Sequence, residues 1–267
     1  MLRDITLGQY YPSESKVHHM DPRLKIILTL VYIVSLFFIK DYWGYVYCAV
    51  ILGLVIHISH VPAKFVFKGI KALIVILIFT AVLNIFSYPD GTALAHVGIF
   101  TITIEGIQIA IKMCIRLILL VSGASILTLT TSPIQLTDAI ERILNPFKKA
   151  GLPSHEIAMM MSIALRFIPT LMDETDKIIK AQQARGADFD TGNLIQRAKS
   201  LIPILVPLFI SAFRRADELA MAMEARCYGI SVERTRLNEL ALGRDDYRAI
   251  GIAVIYAAIF VAVRLFI

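Results

Sequence analysis

Two short stretches of this sequence place an arginine among small residues where a helix would end. Ala184-Arg185-Gly186 closes a charged segment, and Ala225-Arg226-Cys227 repeats the pattern further along the chain. The guanidinium group of arginine is a planar fork of N–H donors that suits carboxylates and backbone carbonyls. A single copy would indicate only a cation that complements the dipole at a helix C-terminus. Two copies indicate two equivalent arginine contacts with partners.

The similarity between the two stretches extends upstream of the arginines. "DKIIKAQQARG" at 176–186 aligns without a gap with "DELAMAMEARC" at 217–227. Gly186 is an ordinary residue for a helix C-cap. Cys227 stands at the same position of the second copy, so its cap geometry is open, and Gly229 is a second candidate for that cap. The repeat predicts two long helices whose tips are charged and built from small residues.

No motif in the chain supports enzymatic chemistry. The sequence has no Gly-rich phosphate-binding loop, so we expect that the chain itself does not hydrolyse ATP. "HEIAM" at 155–159 lacks the second histidine of a zinc-protease helix, and "SGAS" at 122–125 fits helix packing better than a serine nucleophile. Cys48, Cys114 and Cys227 are scattered, which argues against a disulfide framework and a zinc site. We expect a non-catalytic protein without a metal site or a bound cofactor.

The composition is that of an all-α integral membrane protein. Of the 267 residues, 57% are hydrophobic and 18% are charged. A helix needs about 20 mostly apolar residues to cross the bilayer core. The apolar runs predict about five transmembrane helices, at 24–39, 43–61, 69–88, 105–131 and 248–267.

The basic residues predict the orientation in the cell membrane. The net charge is +6, and lysines and arginines gather before the first predicted span and between the second and third. Cytoplasmic flanks of membrane helices carry such an excess. We therefore expect a multi-pass protein with a cytoplasmic N-terminus, and the basic excess does not indicate a nucleic-acid partner. Lys112 and Arg116 are expected near the outer end of the fourth span, with their side chains reaching the interface.

The segment before the last span is charge-dense and amphipathic. Ser132 and Gln135 form a predicted capping box of a short helix that ends at Asn145-Pro146, and Ser154 is a predicted N-cap. The apolar run 201–213 is too short to span a bilayer and indicates an interfacial or buried helix. The predicted domains are an N-terminal membrane domain, a cytoplasmic domain and a C-terminal span, at 1–131, 132–247 and 248–267.

An alternative is that this segment holds a sixth and a seventh transmembrane helix broken by prolines. Arg166 and the Arg214-Arg215 pair would then lie inside the bilayer. Charged side chains are costly at that depth, so we favour amphipathic helices on the cytoplasmic side.

Several stretches together resemble the transmembrane (T) component of energy-coupling factor (ECF) transporters. They are the paired arginine endings, "DPRLK" at 21–25, "SPIQLTDAIERIL" at 132–144 and "ALRFIPTLMDETDKIIKAQQARGADF" at 164–189. The resemblance covers essentially the whole chain. It implies two long cytoplasmic coupling helices that cross, with the arginine of each tip in a groove of one ATPase subunit. The implied ATPase-coupling residues are Ala184, Arg185, Gly186, Ala225, Arg226 and Cys227.

The resemblance also implies the partners and the transport role. Two nucleotide-binding ATPase subunits would bind ATP and Mg, and interchangeable membrane-embedded S components would bind a vitamin or similar micronutrient. Methionine-rich surfaces adapt to several partners. The expected S-component contacts are therefore Met159, Met160, Met161, Met172, Met221 and Met223.

Two other transporter classes remain as alternatives. A conventional ABC-importer permease would present one short coupling loop per chain, not two long helices with arginine tips. A standalone secondary transporter would show duplicated membrane halves. Here the duplication lies in the amphipathic helices.

Overall fold

The computed structural model describes residues 10–39, 41–87, 93–97, 100–146, 151, 153–187, 189, 193–228 and 243–266. The helices are α1 Lys16–His19, α2 Pro22–Phe37, α3 Tyr42–Ser59, α4 Ala63–Ala72, α5 Ile74–Ser87, α6 Ile104–Thr130, α7 Pro133–Leu144, α8 Ser154–Ala184, α9 Leu194–Ser200, α10 Ile202–Ala225 and α11 Arg244–Phe266. The predicted helical fold class is confirmed. The described residues also include an antiparallel hairpin of β1 (Ala93–Val97) and β2 (Phe100–Thr103), in the connection before α6.

The chain divides into two compact units. The bundle unit comprises residues 8–154 and 240–267, and the arm unit comprises residues 155–239 with 1–7. Of the described helices, α8, α9 and α10 lie in the arm unit. α7 lies in the bundle unit, where it packs against α2. The predicted capping box is confirmed at its start, since Ser132 Oγ accepts a hydrogen bond from the Gln135 amide and the Gln135 side chain accepts one from the Ser132 amide.

The predicted third span is not one straight helix. α4 and α5 meet at Leu73 with a bend of 57°. α4 is amphipathic, with Val66 buried and Lys64, Lys68 and Lys71 exposed. By length and apolarity, α3 and α6 are candidate spans among the described residues, and the bent pair is a third. The predicted number of about five spans therefore stays a prediction.

The core of the bundle unit joins α2, α3, α6 and α11. The Tyr256 hydroxyl of α11 is 2.5 Å from Ser35 Oγ and 3.5 Å from Cys48 Sγ. The ring of Tyr256 also stacks on Tyr47 with 5.4 Å between centroids. On α6, a Cβ at Gly123 would lie 2.6 Å from a carbon of the Tyr32 ring. Ser125 of the same segment lies near Gly69 of α4, so the small residues at 122–125 take part in helix packing, as predicted.

The "DPRLK" stretch holds the start of α2 to two distant elements. Asp21 caps the helix by accepting from the Arg23 amide, with Pro22 in the first turn. The backbone amide of Asp21 donates to Asp246 Oδ1 of α11 at 2.8 Å. The buried Lys25 Nζ donates to the carbonyls of His18 and Thr130, each at 3.0 Å. These bonds tie the N-terminal segment, the end of α6 and the start of α11 together.

Arg116 holds the turn between α2 and α3. Its guanidinium donates to the carbonyl of Ile39 at 3.2 Å and to the Tyr45 hydroxyl at 2.8 Å, and it lies over the Phe37 ring. The interfacial position expected for Arg116 stays a prediction, and the structure adds that the guanidinium is bonded to the turn between α2 and α3. Lys112 Nζ lies 4.9 Å from the centroid of the Tyr42 ring.

Replacing Asp21 should destabilise the bundle unit in proportion to the interactions that are lost. Asp21→Ala removes both the cap and the ion pair with Arg23, so we expect a loss of about 1 kcal/mol or more in the free energy of unfolding. Asp21→Asn keeps a capping oxygen and removes only the charge, so its loss should be smaller. Thermal unfolding of the detergent-solubilised protein measures both, and equal melting temperatures for the two variants would contradict the assignment.

The pH dependence gives a second test of Asp21. Burial opposes ionisation, but the hydrogen bonds and charge of Arg23 outweigh it and hold the pKa of Asp21 below its ordinary value. A depressed pKa stabilises the fold above the unfolded pKa, and this stabilisation is lost as the pH falls through the folded pKa. Asp21→Asn should therefore lose part of the acid sensitivity of the melting temperature.

Candidate functional site at the two arginine tips

α8 and α10 run antiparallel in the arm unit. Hydrogen bonds join the two helices and their ends: Gln182 donates to the Pro203 carbonyl, Ser211 and Arg215 donate to Glu174, and the hydroxyl of Tyr228, just after α10, donates to Met159 Sδ. As the residue number rises on α8, that of its partner falls, so the contacts run from one end of the pair to the other. The two arginine tips therefore lie at opposite ends of the pair. The crossing that the family resemblance implies stays a prediction.

Both helices end in the same backbone motif. In α8, the Gly186 amide donates to the Gln183 carbonyl and the Ala187 amide to the Gln182 carbonyl, at 2.9 and 3.0 Å. In α10, the corresponding bonds run from Cys227 to Glu224 and from Tyr228 to Met223, at 2.8 and 2.9 Å. This is the Schellman arrangement, which satisfies the last carbonyls of a helix.

Cys227 adopts the backbone conformation that Gly186 adopts. The φ angles are +57° for Cys227 and +88° for Gly186, both in the left-handed region. Cys227 itself therefore takes the cap position, and Gly229, the second candidate, lies outside the described residues. A side chain in this region costs about 1–2 kcal/mol, which the two cap hydrogen bonds offset in part.

The tips are open to contact. Ala184, Arg185 and Gly186 are all exposed, and so are Ala225, Arg226 and Cys227. Neither Arg185 nor Arg226 forms an ion pair with another described residue. Each tip thus presents a guanidinium fork beside small residues, an arrangement suited to a carboxylate or to carbonyl groups of a partner.

An apolar stripe on α10 is the feature that the sequence analysis missed. We define the α10 stripe by residues that are each 45–69% exposed: Ile202, Leu205, Val206, Phe209, Ile210 and Phe213. Their spacing of three and four residues places them on one face of the helix. The same spacing can be read from the sequence, which predicts an interfacial or buried helix for the run 201–213. Within this run only Ile204 is buried, and most of the other residues are exposed. The prediction of a buried helix is therefore wrong for residues 201–213.

The expected methionine surface is only partly exposed. Met160, Met161 and Met221 are exposed, at 56%, 39% and 62%. Met159, Met172 and Met223 are half-buried. The α10 stripe therefore offers more apolar contact surface than the methionines. Elsewhere, the described residues contain no group of histidine, cysteine, aspartate or glutamate side chains that could hold a metal ion.

Comparisons with known proteins point to one family. A family model described as "CbiQ: Cobalt transport protein" matches residues 13–237. A protein of Ruminiclostridium cellulolyticum, named energy-coupling factor transporter transmembrane protein EcfT, is 57% identical over 256 residues, 96% of each chain. A protein of Clostridium kluyveri with the same name is 53% identical and covers 99% of this chain and 98% of its own. Another, of Brevibacillus brevis, is 47% identical and covers 98% of each.

The shared cap motif predicts opposite effects of two substitutions. Gly186→Val should open the α8 cap, because a β-branched side chain is strained at this φ by about 1–2 kcal/mol. Cys227→Gly should leave the α10 cap intact or strengthen it. Hydrogen exchange of peptides covering 182–187 and 223–228 measures both caps. Faster exchange at 223–228 in Cys227→Gly would contradict the assignment.

Proposed function

This chain belongs to the CbiQ family as the transmembrane (T) component of an ECF transporter, and we propose that it couples two ATPase subunits to micronutrient uptake. ATP binding and hydrolysis take place on the two associated subunits, which hold ATP and Mg. The substrate, a vitamin or similar micronutrient, binds to interchangeable S components. In this proposal the chain is a non-catalytic, multi-pass subunit of the cell membrane with a cytoplasmic N-terminus.

The observation that carries the proposal is the duplicated tip. Two exposed arginines follow helices with the same cap motif, and the antiparallel pairing carries them to opposite ends. A single chain therefore offers two similar contacts that are far enough apart to serve two subunits at once. Arginine can bind a carboxylate in a bidentate manner, so each tip would be held firmly in an acidic groove.

Rigid helices can transmit the movement of the ATPase subunits. When ATP closes the two ATPases, their grooves move, and the tips at Arg185 and Arg226 follow. The displacement passes along α8 and α10 because packed helices move as nearly rigid bodies. The α10 stripe moves with its helix, so an S component bound to this surface would change its position.

The other transporter classes fit less well. A conventional permease with one coupling loop per chain would not require two tips with the same cap motif. A secondary transporter would have no use for exposed arginines at the ends of amphipathic helices. In the proposed assembly the S component selects the substrate, so this chain does not itself determine whether cobalt or another micronutrient is transported.

Reversing the charge of both tips should abolish coupling. We expect Arg185→Glu combined with Arg226→Glu to eliminate ATP-driven uptake, because the two contacts then repel an acidic groove. The conservative pair Arg185→Lys and Arg226→Lys should retain partial uptake, since the charge remains but the bidentate fork is lost. Transport assays measure uptake, and the amount of chain in the membrane fraction controls for insertion. Full uptake by the glutamate variant would refute the coupling role.

Copurification tests whether the chain binds two ATPase subunits. Extraction in a mild detergent should recover two ATPase chains with the wild-type protein and fewer with the glutamate variant. Recovery of a lone chain that still transports substrate would contradict the proposal.

The α10 stripe should bind the S component. Phe209→Ser combined with Phe213→Ser removes two side chains that are 60% and 69% exposed. We expect less S component in the purified complex, with ATPase copurification unchanged. The matched control is Ile252→Ser with Ile255→Ser, at similarly exposed positions of α11. Equal loss of S component in both pairs would indicate a general effect of membrane packing and would contradict the assignment.

A further inference from the structure

The ion pair between α8 and α10 joins equivalent positions of the repeat. Glu174 lies eleven residues before Arg185, and Arg215 lies eleven residues before Arg226. In an antiparallel helix pair, a contact between equivalent residues marks the position of a local two-fold axis. The Glu174–Arg215 contact therefore lies on the approximate two-fold axis that relates the two copies of the repeat.

The position of this axis determines the distance between the tips. At a helical rise of 1.5 Å per residue, eleven residues extend about 16 Å in each direction from the axis. Because the helices run antiparallel, the two arginine tips lie about 33 Å apart along the pair. A change in the relative position of α8 and α10 at the axis would alter both tip positions together.

At this axis, both oxygens of the Glu174 carboxylate accept hydrogen bonds from α10. Ser211 Oγ donates to Glu174 Oε1 at 2.5 Å, and the guanidinium of Arg215 donates to Oε2 at 3.1 Å. The hydrogen bond from Ser211, followed by the charge of Arg215, lowers the pKa of Glu174. The carboxylate therefore remains charged at neutral pH and joins α8 to two positions of α10.

The ion pair between Glu174 and Arg215 is partly exposed to water, which favours a role in positioning the helices over a role in stability. The side chains of Arg215 and Glu174 are 36% and 25% exposed, and ion pairs with this access to water contribute little to stability. Two bonds from one carboxylate to residues one turn apart nevertheless fix the register between helices. A slide of one turn would break both bonds at once.

We propose that Glu174 is a positioning residue that, through Ser211 and Arg215, sets the separation of the two arginine tips. The effect of Glu174 on transport rests on the proposed function, because the distance between the two arginine tips must then match the distance between the two ATPase grooves. The two helices are then one mechanical unit, and the displacement of either tip is transmitted to the other across the pair. Opposite charges at equivalent positions favour the pairing of α8 with α10, because two copies of the same helix would place like charges together.

A distance measurement tests the positional role without reference to transport. Spin labels at Gln183→Cys and Glu224→Cys, both exposed and equivalent in the repeat, would lie about 27 Å apart along the pair. The background lacks the three native cysteines, and the sample is the purified complex with its copurifying subunits. We expect a single narrow distance distribution for the native pair, a broad or shifted one for Glu174→Arg, and recovery in Glu174→Arg combined with Arg215→Glu. An unchanged distribution in Glu174→Arg would overturn the proposal.

Uptake measurements test the functional consequence. We expect Glu174→Arg to lower uptake per copurified ATPase by at least about fivefold, in the range of typical coupling energies. The swapped double variant should recover most of this loss. Asp173→Arg is the matched control, since Asp173 is an exposed neighbour outside the contact, and it should transport normally. Lack of recovery in the swapped variant would overturn the role of the pair.

The two measurements separate the failure of this proposal from failure of the proposed function. If the chain does not couple ATPases, the charge reversal at Arg185 and Arg226 leaves uptake intact, whereas the label distances still respond to Glu174→Arg. If only the positioning role is wrong, the tip variants abolish uptake and the distances do not change.

Discussion

The antiparallel contact between α8 and α10 determines where the other features of the arm unit can lie. Each helix begins apolar and ends charged, so the pairing sets the apolar half of one beside the charged half of the other. Two similar helix endings are thereby carried to opposite ends. Ile204, Ser211 and Arg215 lie on one face of α10, with Ser211 and Arg215 bonded to Glu174. The α10 stripe falls on the opposite face and remains exposed.

A different constraint governs the bundle unit, where backbone groups at helix ends must be satisfied away from water. Lys25 donates to carbonyls of the N-terminal segment and of α6, and Arg116 donates to the carbonyl of Ile39 after α2. Tyr256 places a hydroxyl between α2 and α3. The charged and polar residues of this unit thus join helices, whereas the exposed arginines of the arm unit remain available for partners.

This division between the two units suits the proposed function, in which the chain transmits motion and another chain selects the substrate. The described residues offer two kinds of contact surface, guanidinium forks at the tips and an apolar stripe between them. Both surfaces are carried by long helices that are joined along their length. Cys227 illustrates how strongly the tip geometry is imposed, because it adopts a left-handed conformation that glycine would adopt with less strain.

The sequence by itself determined the features that depend on neighbours along the chain. The cap at Asp21 with Pro22, the capping box at Ser132, the predominantly helical fold and the two tip positions follow from local hydrogen bonding and periodicity. Only the tertiary structure decided the bend at Leu73, the partner of Arg116, the antiparallel direction of α8 and α10 and the contact at Glu174. The physical reason is that these features depend on groups distant in sequence, which helical periodicity and capping preferences do not specify.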